Sequence, residues 1–555
     1  MSKKQLLVRN VVSGLSLSAM IFYPAISLGA SLPPTDAGRV LRDAQRNERS
    51  LPIRQSVDIE ANQETNPTMN EQQGFKMLVT TYHVTGQDVF SQEQLLPLLA
   101  PFTNQELTFT DLQQAADRIT HYFRSQGYLM AQAYIPAQEI NNNDVEIIVL
   151  VGRYGDIIVK NNSTLADDHA IRSQITALRT GDYITSASLE RAVLLAGDLV
   201  GVKAKVSLIR GQKAGTSDVV IEAADRGTQV NSSLSYNNWG NRFTGSNQVN
   251  ADVLIASPAH RGDSLSVSAT SAGAGLKTGG ITYRMPVGEG SNVTISYSKV
   301  HYQLGEEFAN ANADGTAHTS HVDWSYALRR SRNNNLGLQL GYDHKEMEDN
   351  FAGISTGKSS NAVSLALGGD SVDDWGGGGA NSYNLSWRQG TISGQSNVGD
   401  WQKTSYSLNR QQRINKRLSL QLLLSGQFAN TNLDSSEKFS LGGANAVRAY
   451  PSGEGSGDEG WLFTSELRWT LPVKNSNGTL QAAAFLDAGG STLEKNPTGK
   501  GVNERRLAAC GLGLLWTAPG DYSVKSYYAW KAGHEIASSD TDKNGRFWLQ
   551  VAKSF

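Results

Sequence analysis

The sequence predicts an all-β transmembrane barrel of about sixteen antiparallel strands, preceded by a small α+β region and a short N-terminal helix. Three observations support this prediction. From residue 229 to residue 555, apolar and polar side chains alternate with a period of two. Between residues 75 and 226, helical and strand patterns occur together. The mean hydropathy of -0.36 is too polar for a bundle of membrane helices, but it suits a barrel with a polar interior.

The overall composition excludes several classes of function. The 555 residues include 50 basic and 52 acidic side chains, so there is no basic excess of the kind that binds nucleic acid. The single cysteine, Cys510, cannot form an intramolecular disulfide and fits a small residue in a strand. The 9 histidines are scattered and indicate no metal cluster. We therefore expect no metal, no cofactor and no nucleic acid partner.

Residues 1–30 have the pattern of a cleaved export signal. Lys3, Lys4 and Arg9 precede a mainly apolar stretch, and small residues end at Ala30, where cleavage is expected. A membrane anchor is the alternative, but Ser, Gly and Pro residues interrupt the apolar stretch. No later segment offers about 18 uninterrupted apolar residues, so we predict no further membrane helix.

A short helix is predicted within residues 31–49, followed by a linker in residues 50–73. Thr35 or Asp36 can cap the helix, which has a thin apolar stripe and a basic face. The stripe contains Val40, Leu41 and Ala44, and the basic face contains Arg39, Arg42, Arg46 and Arg49. The linker is rich in Asn, Gln, Glu and Pro and lacks periodicity. Such a polar helix buries little apolar surface by itself, so it must be loose or docked on a polar surface.

An internal repeat divides the α+β region into two predicted domains, residues 74–152 and 153–227. The segment from Leu107 to Ala115 matches the segment from Ile184 to Ala192, at an offset of 77 residues. In the first copy we expect Thr110 to cap a helix that Gly127 ends. The order strand, helix, helix, strand, strand describes each domain. One larger α/β domain is the alternative.

The barrel prediction covers residues 228–555. Ile295 and Tyr297 alternate with polar residues, and similar units recur along 327 residues, enough for about sixteen strands at roughly 20 residues each. Short turns, such as residues 286–290, alternate with longer polar loops. In the last strand, apolar and aromatic residues occupy alternate positions and end at the C-terminal Phe555. This ending resembles the signal read by the barrel assembly machinery. A secreted β-solenoid or sandwich would not explain that terminal Phe.

Several motifs resemble those of one family, the B components of two-partner secretion systems, in the BamA-like barrel superfamily. The resemblance covers nearly the whole mature chain. In the barrel, the motifs are Val447-Arg448-Ala449-Tyr450 and Phe485-Leu486-Asp487-Ala488-Gly489. In the α+β region they are Gly127-Tyr128-Leu129, residues 134–138 and Gly152-Arg153. The commonest loop motif has Gly where Ala449 stands, and Ala is the smallest departure from it.

The resemblance implies roles for these segments. The α+β domains would be polypeptide-transport-associated (POTRA) domains in the periplasm, and residues 31–49 would plug the barrel lumen. The loop with Val447, Arg448, Ala449 and Tyr450 would fold inward and face the strand motif with Phe485, Asp487 and Gly489. Arg448 is the one charge between residues 441 and 453, and Asp487 lies among apolar and small residues. Enclosed in a lumen, each charge needs the other.

The function implied is export of a secreted partner protein, a large haemolysin or adhesin, through a Gram-negative outer membrane. The partner would dock on the POTRA domains and thread unfolded through the barrel, which contacts outer-membrane lipid. A BamA-like insertase and a general diffusion porin are the alternatives.

Enzymatic motifs occur but lack their structural context, so we predict no catalytic residues. Residues 353–357 match a nucleophile elbow without a strand-to-helix turn. Residues 455–460 match a dinucleotide fingerprint without a βαβ unit. Residues 540–545 open like a calcium loop, but its twelfth position is Val551 instead of Glu.

Overall fold

The computed structural model describes residues 35–45, 59–61, 76–139, 142–394, 399–473, 477–518 and 522–555. The predicted export signal lies outside these residues. So do Arg46, Arg49 and most of the predicted linker. The described residues form five α-helices: α1 Ala37–Ala44, α2 Gln92–Leu99, α3 Phe109–Ser125, α4 Asp168–Ser173 and α5 Ser186–Gly197. None of these helices is long and apolar enough to cross a membrane.

Residues 76–152 form the first α+β domain. Its strands are β2 Met77–Val79, β3 Thr81–Thr85, β4 Gln105–Leu107, β5 Gln132–Tyr134 and β6 Asp144–Leu150, numbered after a short strand β1 that is described below. β6 pairs with β3 and β5, and β2 pairs with β4. Helix α3 covers the sheet with an apolar face that includes Leu112, Ile119 and Phe123. The domain therefore has a hydrophobic core of its own.

The N-cap of α3 differs from the prediction. Thr108, not Thr110, is the N-cap, because its backbone is extended and its hydroxyl accepts a hydrogen bond from the Asp111 N–H. The Asp111 carboxylate in turn accepts a hydrogen bond from the backbone N–H of Thr108, which completes a capping box. Gly127, at a φ of +96°, follows the helix end as predicted.

The second α+β domain repeats this arrangement. Its strands are β7 Arg153–Asn162, β8 Val202–Arg210 and β9 Thr216–Asp225, and β9 lies between the other two. Thr185 caps α5, 77 residues after Thr108 caps α3, in agreement with the repeat. The core around Ile171, Leu189 and Ile221 is separate from that of the first domain. Two small domains, instead of one larger domain, therefore precede the barrel.

The predicted linker contains one strand that the sequence analysis did not anticipate. Strand β1, Ile59–Ala61, pairs in parallel with residues Val206, Ser207 and Leu208 of β8. It extends the second domain's sheet to four strands in the order β1-β8-β9-β7. Three residues are too few to give a periodic pattern, so pairing with an existing sheet edge defines this strand.

Sixteen antiparallel strands close into a barrel, as predicted. They are β10 Val230–Asn237, β11 Gln248–Ala256, β12 Ser264–Ser271, β13 Leu276–Gly288, β14 Ser291–Gln303, β15 Asp314–Arg329, β16 Asn334–Phe351, β17 Ile354–Asp373, β18 Gly379–Gly394, β19 Gly399–Arg413, β20 Leu418–Ala429, β21 Glu459–Leu471, β22 Thr479–Thr492, β23 Glu504–Thr517, β24 Tyr522–Lys531 and β25 Gly545–Ser554. β10 pairs with β25, so closure leaves no unpaired edge in the sheet.

The period-two pattern separates the two faces of the barrel wall. On β21, Trp461, Phe463 and Trp469 point outward and are exposed, whereas Leu462 and Glu466 point inward and are buried. Ile295 and Tyr297 of β14, which were predicted to share one face of the strand, are likewise exposed on the outer face. An apolar outer face and a polar interior are the distribution that lipid outside and water inside require.

The second domain is bonded to the barrel end next to it, which we call the near end. Glu289, in the turn between β13 and β14, accepts hydrogen bonds from the Thr176 hydroxyl at 2.7 Å, the Ala177 N–H at 2.7 Å and the Arg191 Nε at 3.1 Å. In the turn between β15 and β16, Arg330 pairs with Asp198 at 2.7 Å. The opposite barrel end is the far end.

Candidate functional site

The connection between β20 and β21, residues 430–458, folds into the barrel lumen, and we call it the inward loop. Its tip is closed by a hydrogen bond from the Val447 N–H to the Leu441 carbonyl at 2.9 Å. Val447, Ala449 and Tyr450 are all buried. The predicted motif residues therefore lie inside the barrel, enclosed by its wall and by the loop itself.

The structure brings Arg448 and Asp487 together. The Arg448 Nε donates to Asp487 Oδ2 at 2.9 Å, and its Nη2 donates to Asp487 Oδ1 at 2.9 Å. The Arg448 backbone N–H also donates to Oδ2, at 3.1 Å. This fork geometry uses both oxygens of the carboxylate, and β22 places Asp487 on the lumen side of the wall.

Two further charged residues, Glu466 and Arg468, belong to this cluster. The Arg448 Nη1 donates to Glu466 Oε2 at 2.5 Å, and Arg468 donates from Nε to the other oxygen of Glu466 at 2.7 Å. The sequence analysis missed Glu466. Glu466 alternates with the apolar residues of β21, and this pattern predicts that it faces the lumen. Nothing in the sequence, however, indicates which of the many polar wall residues contacts the loop.

Aromatic side chains enclose the Arg448 guanidinium. Its central carbon lies 3.4 Å from the ring centroid of Phe485 and 4.8 Å from that of Tyr527, within cation–π range. The Trp548 indole N–H donates to the Arg448 carbonyl at 2.7 Å. Gly489 permits close approach of the loop, because a Cβ there would lie 2.8 Å from Leu441 Cδ2. Phe485, Asp487 and Gly489 thus all face the loop.

Phe555, by contrast, lies away from this cluster. It follows β25 at the near end, where its N–H donates to the Ser232 carbonyl at 2.9 Å and its side chain is exposed. The position is open to a partner, as an assembly signal requires, and that role stays a prediction.

Four further acidic residues fix the inward loop at other points. Glu437 lies among Lys345, Lys403 and Arg388 of the wall. Asp434 pairs with Lys358 at 2.7 Å. Glu454 accepts hydrogen bonds from Ser538 and Ser539, beyond β24. Asp458 pairs with Lys438 at 2.7 Å within the loop itself. None of these contacts was predictable from the sequence patterns.

Helix α1 also lies inside the barrel, and we call it the plug helix. Val40 and Leu41 of the predicted apolar stripe, together with Ala37, are buried against wall residues that include Val300 and Met347. Ala44, the third residue of the predicted stripe, is exposed instead. Asp36 is its N-cap, one of the two predicted candidates. The described helix is shorter than the predicted one, and the structure describes nothing beyond Gln45 at its C-terminal end.

The polar side of the plug helix contacts the inward loop. Asp36 Oδ2 accepts a hydrogen bond from the Ser435 hydroxyl at 2.6 Å and lies 3.1 Å from the Lys358 Nζ. The Arg42 Nη1 donates to the Ser456 hydroxyl at 2.7 Å, and Arg39 donates to the Gly453 carbonyl. The basic face of this helix therefore binds loop oxygens, and the helix and loop together form one obstruction in the lumen.

The N-cap carboxylate is suited to remain charged in this position. Burial by itself would raise the pKa of Asp36. The charge of Lys358 and the hydrogen bond from Ser435 outweigh burial and lower that pKa below its ordinary value. The capping charge therefore persists at neutral pH and supports docking of the helix.

The arrangement can act as a gate. The inward loop and the plug helix occupy a lumen that the wall would otherwise leave to water, and they are joined to each other by polar contacts of a kind that water can replace. Among the described residues, no group of three or more His, Cys, Asp and Glu side chains is placed to hold a metal ion.

Several known proteins and protein families are similar to this chain. Residues 215–515, more than half of the chain, match the family model described as haemolysin secretion/activation protein ShlB/FhaC/HecB. Residues 77–152 match the ShlB-type POTRA domain. The heme/hemopexin transporter protein HuxB of Haemophilus influenzae is 27% identical over 98% of both chains. The outer membrane transporter CdiB of Escherichia coli is 23% identical over 82% of this chain and 78% of that one.

Solved structures agree on the fold. CdiB from Escherichia coli superposes with a TM-score of 0.73 at 20% identity, covering 88% of this chain and 93% of that one. BamA from Haemophilus ducreyi, lacking its POTRA domains 1–3, superposes with a TM-score of 0.52 at 14% identity, covering 86% and 100%. Because the family model covers more than half of the chain, including most of the barrel wall and the inward loop, this chain belongs to the ShlB/FhaC/HecB haemolysin secretion/activation family, the outer-membrane transporters of two-partner secretion.

Proposed function

We propose that this transporter recognises an exported partner polypeptide with its POTRA domains, in the periplasm, and passes it unfolded through the barrel to the cell surface. One observation supports the proposal most directly. The lumen is obstructed by a loop and a helix that belong to the same chain and are joined to each other by exchangeable polar contacts. A channel blocked in this way must be opened by something that the soluble domains can bind.

The POTRA domains offer surfaces for such binding. In the first domain, β3 and β5 are the outer strands of the three-stranded sheet, and Tyr134 of β5 is exposed. An extended segment can add to a sheet edge through main-chain hydrogen bonds while its side chains vary. We infer that the chain catalyses no reaction, since its enzyme-like motifs lie at the ends of barrel strands and in the loops next to them.

The two alternatives have less support. A general diffusion porin needs an open lumen and no soluble domains, whereas this lumen contains the plug helix and the inward loop. A BamA-like insertase shares the barrel fold, but the two POTRA domains here are fewer than the roughly five expected of an assembly factor. An insertase would also be required for other outer-membrane proteins, and this requirement separates the two functions experimentally.

The relatives suggest candidate partners. The Haemophilus influenzae relatives are named for heme and hemopexin transport, and the family description names haemolysins. We propose that the cargo belongs to one of two classes of exported protein, the haemolysins or the proteins connected with heme and hemopexin transport. Co-expression with one representative of each class, followed by assay of the medium, should identify the class that this chain secretes.

The central test removes residues 75–226 and measures partner secretion. We expect secretion to be abolished, because the docking surface is lost, while the barrel still reaches the outer membrane in a folded, heat-modifiable form. Normal export by this deletion variant would refute the docking role. A general fall in other outer-membrane proteins would favour the insertase instead.

A further inference from the structure

A second attachment of the inward loop lies on a different sector of the wall from Arg448. Glu437 belongs to the descending arm of the loop, residues 430–440, and is only 1% exposed. Its Oε1 lies 2.5 Å from the Lys345 Nζ of β16, and its Oε2 lies 2.7 Å from the Lys403 Nζ of β19. Arg388 of β18 follows at 3.8 Å. Three strands thus direct cations at one loop carboxylate.

The carboxylate is needed to balance these charges. Glu437, Lys345, Lys403, Arg388 and the Arg388 partner Asp343 together have three positive and two negative charges. Without the Glu437 charge, Arg388 would keep its pair with Asp343, but the two lysines would have no carboxylate partner within this group, in a place that water reaches poorly. Removing one partner from a buried ionic group leaves the others uncompensated and is strongly unfavourable.

The same arm is the seat of the plug helix. Ser435 donates to Asp36, and the Arg42 Nη1 donates to the carbonyls of Ser435 at 3.3 Å and Lys438 at 3.4 Å. The backbone contact is close, because a Cβ at Gly38 would lie 2.9 Å from the Ser436 N. Glu437 therefore lies within the stretch of residues 435–438 on which the plug helix rests.

We propose that Glu437 is a positioning residue that holds the descending arm against the wall and thereby keeps the plug helix in the lumen. The inference rests on the proposed function, in which the plug helix must leave before a polypeptide passes. It assigns distinct tasks to the two anchors. Arg448 fixes the loop tip to β21 and β22, and none of the hydrogen bonds described for Arg448 reaches the plug helix.

The test is single-channel recording of the full-length protein in planar lipid bilayers, without any partner protein. Glu437→Gln keeps the shape of the side chain and removes its charge. We expect the fraction of time in the open state to rise about tenfold or more, because one side of a buried ionic cluster has been removed. Glu437→Asp, which keeps the charge on a shorter side chain, should show a smaller rise.

A matched control is Glu504→Gln. Glu504 lies at the start of β23 and pairs with Arg506 in an exposed ion pair, so its loss should leave conductance unchanged. Lys345→Gln removes the nearest wall partner of Glu437, so it weakens the same attachment although the remaining charges are equal in number. If Glu437→Gln does not assemble into a heat-modifiable barrel, the expected rise must appear in Lys345→Gln, and wild-type conductance there would overturn the proposal.

Deletion of residues 34–49 shows whether the plug helix is the element released. On the deletion background, Glu437→Gln should cause no further rise, since there is no plug helix left to lose. An added rise of the same size would overturn the proposal by locating the effect elsewhere in the lumen, as would wild-type gating in a folded Glu437→Gln protein. These recordings need no secretion, so they stand apart from a failure of the proposed function.

Discussion

Arg448 shares its single charge between two buried carboxylates, Asp487 and Glu466, while Arg468 gives Glu466 a second partner. The two ion pairs of Arg448 are therefore unequal. Asp487 depends on Arg448 for its ion pair, whereas Glu466 retains Arg468 if Arg448 is lost. This asymmetry modifies the expectation of a simple one-to-one pair that the sequence motifs suggest.

Substitutions within this cluster should follow that asymmetry. Arg448→Ala and Asp487→Ala should each weaken the fixed loop position by on the order of 3 kcal/mol, because each leaves a buried charge without its main partner. Glu466→Gln should cost less, since Arg448 keeps its two bonds to Asp487. The measurement is partner secretion in cells, with heat-modifiable migration as a check on barrel folding.

The double variant gives the sharper result. Arg448→Ala with Asp487→Ala should be little worse than either single substitution, because contacting partners are not additive. Arg506→Ala, which removes an exposed arginine from the barrel end, serves as the control. Fully additive defects, or normal secretion with Asp487→Ala, would contradict a functional pairing.

At the scale of single elements, the plug helix is too short to be stable alone. Eight residues lie below the length at which isolated helices form in water, so docking must stabilise α1. Its apolar stripe meets the wall and its polar side meets the inward loop. A helix held by tertiary contacts in this way can leave without unfolding the barrel.

Removing the plug helix should therefore open the channel. Deletion of residues 34–49 should raise single-channel conductance in planar bilayers and leave secretion largely intact. Asp36→Asn should give a partial rise, because the N-cap keeps an oxygen acceptor but loses its charge toward Lys358.

Asp43→Asn is the matched control on the same helix, since the Asp43 carboxylate accepts from Arg42 of that helix. It should record like the wild type. Unchanged conductance after the full deletion would show that the plug helix does not limit ion flow.

At the scale of the whole molecule, the second POTRA domain is joined to the barrel by side-chain bonds as well as by the chain. Glu289 alone accepts from Thr176, Ala177 and Arg191 of that domain. Cargo bound by the domain would then be presented to the near end of the barrel at a defined position.

Glu289→Ala should loosen this junction. Three hydrogen bonds to a carboxylate are lost, each worth about 1.5–3 kcal/mol at most when charge-assisted. We expect reduced secretion and a broader distribution of distances between spin labels on the second domain and on the barrel. Pulsed electron double resonance in a Cys510→Ser background measures these distances.

Glu222→Ala removes a carboxylate from an exposed ion pair with Lys160 on the same domain and should leave the distribution narrow. An equally narrow distribution with Glu289→Ala would mean that the covalent connection and the other turns suffice to hold the domain.

The sequence by itself determined the parts that depend on periodicity and spacing. Period-two alternation identified a sixteen-stranded barrel, because lipid and lumen impose opposite chemistry on alternate residues. The 77-residue repeat identified two α+β domains, since the same helix cap recurs at Thr108 and Thr185. The resemblance of two short motifs to those of the family predicted that Arg448 and Asp487 face each other.

Only the tertiary structure decided which lumen charges meet. Lys345, Lys358, Lys403 and Glu466 all lie on the polar parity of their strands, so the pattern marks them as inward-facing without assigning partners. Their partners Glu437 and Asp434 lie on a loop without periodicity, 92 and 76 residues from Lys345 and Lys358. Such contacts are set by how the loop enters the closed barrel, and that path depends on the whole wall at once.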